Sequence, residues 1–115
     1  MDGRFDMIKL IAIDLGGTLL NDDNTISIAN LEALNYAESN GIKIALATAR
    51  MYSSTKYISE LIKCDYGVFS NGSFVYDIKA NHIIREQLLQ TKAILKLIKF
   101  AKSKDIYLHL NHRFK

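Results

Sequence analysis

Three short segments hold the residues able to do chemistry. Asp14-Leu15-Gly16-Gly17-Thr18 supplies a carboxylate, two glycines and a hydroxyl; Thr48-Ala49-Arg50 adds a second hydroxyl, and Ser70-Asn71-Gly72 a third small polar stretch. A carboxylate, a hydroxyl and backbone N–H groups on flexible glycines suit a phosphate group accompanied by a divalent cation. The cation neutralises charge, while the N–H groups and the hydroxyl hold phosphate oxygens. The carboxylate can also attack phosphorus to form an aspartyl-phosphate. Each segment has a plainer reading alone: Asp14 as a turn or cap residue, Thr48 as the cap of the next helix, Ser70-Asn71-Gly72 as a turn. Their shared placement separates the two readings.

Each segment directly follows a predicted strand. Residues 8–13 (Ile-Lys-Leu-Ile-Ala-Ile) are nearly all apolar and too few for a buried helix, so they read as a strand buried on both faces. Residues 42–47 and 66–69 read as the second and third strands. Ser27 can cap a helix running to about Asn40, with Ile28, Leu31, Leu34 and Ala37 at helical spacing and Asn40-Gly41 as its stop. A second helix is expected over 53–63, with Tyr57, Ile58, Leu61 and Ile62 inward. This alternation predicts an α/β fold with a parallel, doubly wound sheet. In such sheets ligands bind at the carboxyl ends of the strands, which puts all three segments on one rim. Farther along, residues 74–76 and 82–85 read as a hairpin. Thr91 can cap a helix through Ser103 with Ile94, Leu97, Ile98 and Ala101 on one face. Residues 106–110 alternate as a last strand.

Composition bounds the alternatives. The 115 residues are 49% hydrophobic and 23% charged, which excludes disorder and leaves enough apolar surface for a core. No apolar run approaches the roughly 20 residues of a membrane span, and residues 1–6 lack a signal-peptide core. With no proline, the loops depend on Gly, Asn, Asp and Ser. One cysteine, Cys64, excludes an internal disulfide framework and fits a cytoplasmic setting. It sits beside Asp65 with no sign of activation and reads as structural. The net charge of +3 draws on Lys92, Lys96 and Lys99, which share one helical face, together with Lys102, Lys104, Arg113 and Lys115. A solvated face explains them, and no nucleic-acid motif accompanies them. His109 and His112 would face opposite sides of the expected last strand, which disfavours a metal pair. Tyr52 either lines the site entrance or packs against the core.

Residues 11–21, Ile-Ala-Ile-Asp-Leu-Gly-Gly-Thr-Leu-Leu-Asn, resemble the first motif of the haloacid dehalogenase superfamily, Asp-x-Asp-Gly-Thr. Residues 45–50, Ala-Leu-Ala-Thr-Ala-Arg, resemble the second motif of its Cof-type sugar-phosphate phosphatase branch, where Thr-Gly-Arg is usual. Ser70-Asn71-Gly72-Ser73 and the hairpin after it resemble that branch's crossing from core to cap. The resemblance spans residues 7–115. It implies an incomplete Rossmannoid core of three-layer αβα type at 7–73, the start of an α/β cap at 74–115, and an N-terminal extension at 1–6 before a natural start at Met7. It also implies magnesium-dependent hydrolysis of small phosphorylated metabolites. Asp14 would be the nucleophile, and Asp14 and Gly16 the metal-binding positions. Leu15, Gly16, Gly17, Thr48 and Ala49 would hold phosphate, and Asn71 and Gly72 would form the core–cap hinge.

Three departures qualify that expectation. Gly16 stands where the family has a second aspartate, whose carboxyl protonates the leaving oxygen and then activates water. Glycine keeps the carbonyl and loses that acid–base work, typically worth 10²–10⁴-fold, or about 3–5 kcal/mol of barrier. Ala49 replaces a glycine, a strain only where φ is positive. The family's downstream lysine and acidic pair have no counterpart in this chain. An unpaired apolar edge at residues 8–13 would follow, open to self-association. Two rival readings remain: a non-catalytic or truncated relative kept for binding or assembly, and a sugar kinase of the actin/hexokinase fold. The kinase would need a second strand immediately after Asp-Leu-Gly-Gly-Thr.

Overall fold

In the computed structural model, residues 7–112 are described; the extension expected at 1–6 lies outside them, as do Arg113 and Lys115. Five strands form one mixed sheet in sequential order: β1 (Leu10–Ile13), β2 (Lys43–Ala47), β3 (Tyr66–Phe69), β4 (Phe74–Asp77) and β5 (His82–Glu86). The first three are parallel. Ile13 lies beside Leu46 and Ala47 beside Val68, so β1, β2 and β3 end on the same edge. The α/β class is as expected. The hairpin assigned by sequence to a cap is hydrogen-bonded into this same sheet, β4 pairing antiparallel with β3 along its whole length.

Helices α1 (Ile28–Ser39) and α2 (Tyr52–Leu61) make the two crossovers. The strand order runs one way, so right-handed crossovers lay both helices on one face. There Leu34 and Ala37 of α1 and Ile58 of α2 join Ile44, Leu46, Phe69, Phe74 and Tyr76 in a single core. Ser27 caps α1 as expected, its Oγ accepting from the Asn30 N–H at 3.1 Å. Gly41, with φ +77, follows the stop at Asn40.

Several sequence expectations are corrected. Strand β1 is not buried on both faces: Leu10 is 47% exposed, because only the Ile11 and Ile13 side packs on the core; among the described residues β1 pairs with β2 alone. In α2 the inward stripe is Thr55, Ile58 and Ser59, continued by Ile62, and Tyr57 and Leu61 face solvent. Burial of the two hydroxyls is tolerated because each donates to its own helix: Thr55 Oγ1 to the Tyr52 carbonyl at 3.1 Å, Ser59 Oγ to that of Lys56 at 2.8 Å. The outward turn of Ile28, and of Leu97 on α3 (Thr91–Ser103), likewise departs from the expected faces. Gln90 takes the N-cap position expected of Thr91. Residues 106–110 form no strand, since no sheet edge among the described residues pairs with them.

Candidate active site

Asp14 follows β1 directly, and the chain then reverses through a tight turn. Gly16 (φ −65°, ψ 124°) and Gly17 (φ 70°, ψ 3°) have the dihedrals of the central residues of a type II turn. The second of these positions needs φ > 0, which explains glycine at 17. Gly16 is different: its φ suits any L-residue, and a Cβ added there meets nothing within 4 Å. Bonds from the Leu19 N–H to the Asp14 carbonyl (3.2 Å) and from Leu20 to Leu15 (3.0 Å) close the turn. Leu15 and Leu19 point into the core and anchor it, so Leu15 can offer only backbone to a ligand. The Asp14 side chain is exposed and, among the described residues, takes part in no hydrogen bond or ion pair.

Thr48 follows β2 and is almost fully buried. It does not cap α2, whose N-cap is Met51. Its Oγ1 instead accepts from the Arg50 N–H at 3.1 Å, while its own N–H is held by the Val68 carbonyl at 2.9 Å. The Thr48 hydroxyl proton has no acceptor among the described residues and is free to bond an incoming oxygen. Ala49 is exposed and is not among the residues of positive φ, so the methyl in place of glycine introduces no backbone strain.

After β3, Ser70, Asn71 and Gly72 have φ of 49°, 55° and 90°. Three consecutive left-handed residues are costly away from glycine, and such strain concentrates at functional positions. The Ser70 N–H donates to the Arg50 carbonyl at 3.0 Å. All the predicted site residues therefore lie at the ends of three adjacent strands, as the sequence implied.

A cleft of about 690 Å³ opens beside this rim. Ala49, Ser70, Asn71, Gln87, His109 and His112 are among the residues that line it. The two histidines thus share one cavity, because their segment is not the strand that would have set them on opposite faces. No group of three His, Cys, Asp or Glu side chains able to hold a metal exists among the described residues. The Asp14 carboxylate and the Gly16 carbonyl are oxygen donors, the kind magnesium takes, and that ion also keeps several waters and borrows substrate phosphates. Tyr52 packs its ring on Phe69 and Tyr76, with centroids 5.2 and 5.1 Å away, and so serves the core. Burial pushes the Cys64 thiol up to about 11, which keeps it protonated and inert.

Over residues 11–113 the chain matches the family model described as haloacid dehalogenase-like hydrolase. It is 38% identical over 88 residues to the 5-amino-6-(5-phospho-D-ribitylamino)uracil phosphatase YcsE of Bacillus subtilis (strain 168), an alignment covering 76% of this chain and 35% of that one. It is 31% identical over 101 residues to phosphatase YwpJ of the same strain, covering 87% and 35%. A haloacid dehalogenase-like hydrolase structure from Bacteroides thetaiotaomicron superposes with a TM-score of 0.81 at 24% identity, covering 85% of this chain and 38% of that one. One from B. subtilis does so with 0.73 at 28% identity, covering 85% and 34%. The chain spans about a third of the length of the curated relatives it matches. From its motifs, its sheet and these likenesses together, this chain belongs to the haloacid dehalogenase-like hydrolase family.

Proposed function

We propose that this chain carries the nucleophilic half of a phosphatase site acting on small phosphomonoesters, with Asp14 as the phosphoryl acceptor. The observation that carries the reading is the Asp14 carboxylate standing unpartnered at the end of β1, on the edge where the Thr48 hydroxyl also ends its strand. A carboxylate oxygen of Asp14 forms the bond to phosphorus as the bond to the leaving oxygen breaks. Thr48 and the backbone of residues 15–17 hold phosphoryl oxygens, with Ala49 beside them. Water then cleaves the aspartyl-phosphate, releasing inorganic phosphate and restoring the carboxylate. Asp14 and the Gly16 carbonyl would hold magnesium, which supplies positive charge against the phosphoryl oxygens when bound.

The leaving oxygen needs a proton, and position 16 has no carboxyl to supply one. Turnover should therefore be weak and confined to good leaving groups. Similar proteins include phosphatases of a ribitylamino-uracil phosphate and of pyridoxal phosphate, which supports a small phosphorylated metabolite as substrate. The core–cap hinge would lie at Asn71 and Gly72, where the left-handed run breaks the chain direction. We place the protein in the cytoplasm on its lone free thiol; no helix among the described residues is long and apolar enough to cross a membrane.

Hydrolysis of an aryl phosphate with magnesium tests the reading, in this chain and in any longer natural form. Asp14→Asn should abolish turnover. Gly16→Asp should raise it by roughly 10²–10⁴-fold where the rest of the site is present, and the open space at Gly16 admits the side chain. No gain in a longer form would refute the role given to position 16. A second reading, a non-catalytic relative retained for binding, is favoured by Gly16 itself and predicts phosphate binding without turnover in both forms. The exposed edge of β1 is then a candidate for strand pairing between copies; a compact monomer in sedimentation would exclude it.

A further inference from the structure

One residue, through its backbone and its side chain, ties together the segments that follow all three parallel strands. The loop after β1 is closed on itself: Leu20 bridges to Ile26, the Asn21 N–H donates to the Thr25 carbonyl at 2.8 Å, and Asn24 turns back with φ 63°. Among the described residues, residues 21–25 make one hydrogen bond to a segment outside this loop. It runs from Arg50 Nη2 to Asn24 Oδ1, at 3.0 Å. Arg50 meanwhile donates its N–H to Thr48 Oγ1 and accepts at its carbonyl from the Ser70 N–H. Backbone and guanidinium of a single residue thus touch the loops after β1, β2 and β3.

We propose that Arg50 is a positioning residue that docks the Asn21–Thr25 loop against the strand ends. The guanidinium donates through a rigid planar fork, which sets the direction of the loop tip as well as its distance. The Asn24 side of the contact is unusual in having a clean variant. Because Asn24 is already left-handed, glycine fits its backbone without strain and deletes the acceptor, while Asn24→Asp controls for the added backbone freedom of glycine. This role is independent of the chemistry assigned to Asp14. If the wild-type chain binds no phosphate, that counts against the phosphatase reading, and the loop measurement below still decides the role of Arg50.

Amide hydrogen exchange followed by NMR tests it, with inorganic phosphate and magnesium as the ligand probe. Exchange at residues 21–25 should quicken by roughly fivefold to tenfold in both Arg50→Ala and Asn24→Gly, in line with one hydrogen bond. Core amides of β2 should not change. The double variant should be no looser than the looser single, and Asn24→Asp, which keeps the acceptor and adds charge, should restore protection. Additive loosening in the double variant, or an unaltered loop in either single, would overturn the proposal. So would a loss of phosphate binding in Arg50→Ala that Asn24→Gly does not share, since that result makes Arg50 a direct ligand.

Discussion

Two aspartates mark opposite ends of the sheet, and their surroundings differ in every respect. Asp14 stands at the carboxyl end of β1, exposed and without a partner among the described residues. Asp65 stands just before β3, at the other end, with its side chain 4% exposed. It accepts from the Ile44 N–H at 2.9 Å and pairs with Lys43 and Lys79 at 3.3 and 3.1 Å, while its backbone bonds Ile44 and Ile78. One carboxylate joins β2, β3 and the β4–β5 turn; the other holds nothing. An exposed carboxylate without a protein partner is hydrated and adds little to folding, so the contrast separates a residue that builds the fold from one that does not.

Breaking the buried end should cost most. Asp65→Ala leaves the Ile44 N–H without its acceptor and frees two lysines that water can resolvate, a loss of about 1–3 kcal/mol in urea unfolding. A loss under a few tenths would show that the lysines and the backbone do not depend on this carboxylate. Gly17→Ala, on the rim, should cost about 1–2 kcal/mol because its φ is +70°. Gly16→Ala should cost nothing or stabilise slightly, since φ there is −65° and the space is open. Equal losses at 16 and 17 would contradict the turn geometry.

Acid should also weaken the buried end. Burial alone would raise the Asp65 pKa, but the bonds from the Ile44 N–H, Lys79 and Lys43 outweigh it and hold the carboxyl below the usual carboxylate range. Its contribution is therefore complete above the unfolded-state value near pH 4 and is lost as pH falls through the lower folded value. Asp65→Asn should flatten that part of the stability–pH curve, measured by the urea midpoint between about pH 5 and 2. Asp14→Ala should give the smallest effect on folding, within about 0.5 kcal/mol, alongside complete loss of phosphoryl acceptance. A large destabilisation would assign Asp14 a structural role and count against the proposed chemistry.

Hydrophobic spacing and glycine placement made most of the elements legible, with α1, β2, β3 and the β4–β5 hairpin close to their expected bounds. The placement of the three segments was legible for the same reason: strand ends are local features, and the segments sit on them. Less visible was the inward face of α2, since Thr55 and Ser59 read as surface residues until their hydroxyls find carbonyls on their own helix. Arg50 was visible as part of a motif, but its contact with Asn24 joins residues from separate loops and leaves no periodic signal.

Local chemistry along the chain determined where strands stop, where the backbone needs glycine and which carboxylate faces the rim. Only the folded arrangement decided that the hairpin extends the core sheet, that His109 and His112 share a cleft, and that Asp65 rather than Asp14 is the carboxylate holding the strands together. Those outcomes depend on which neighbours cover a given face or complete a given hydrogen bond, and such neighbours are set by packing between segments distant in sequence.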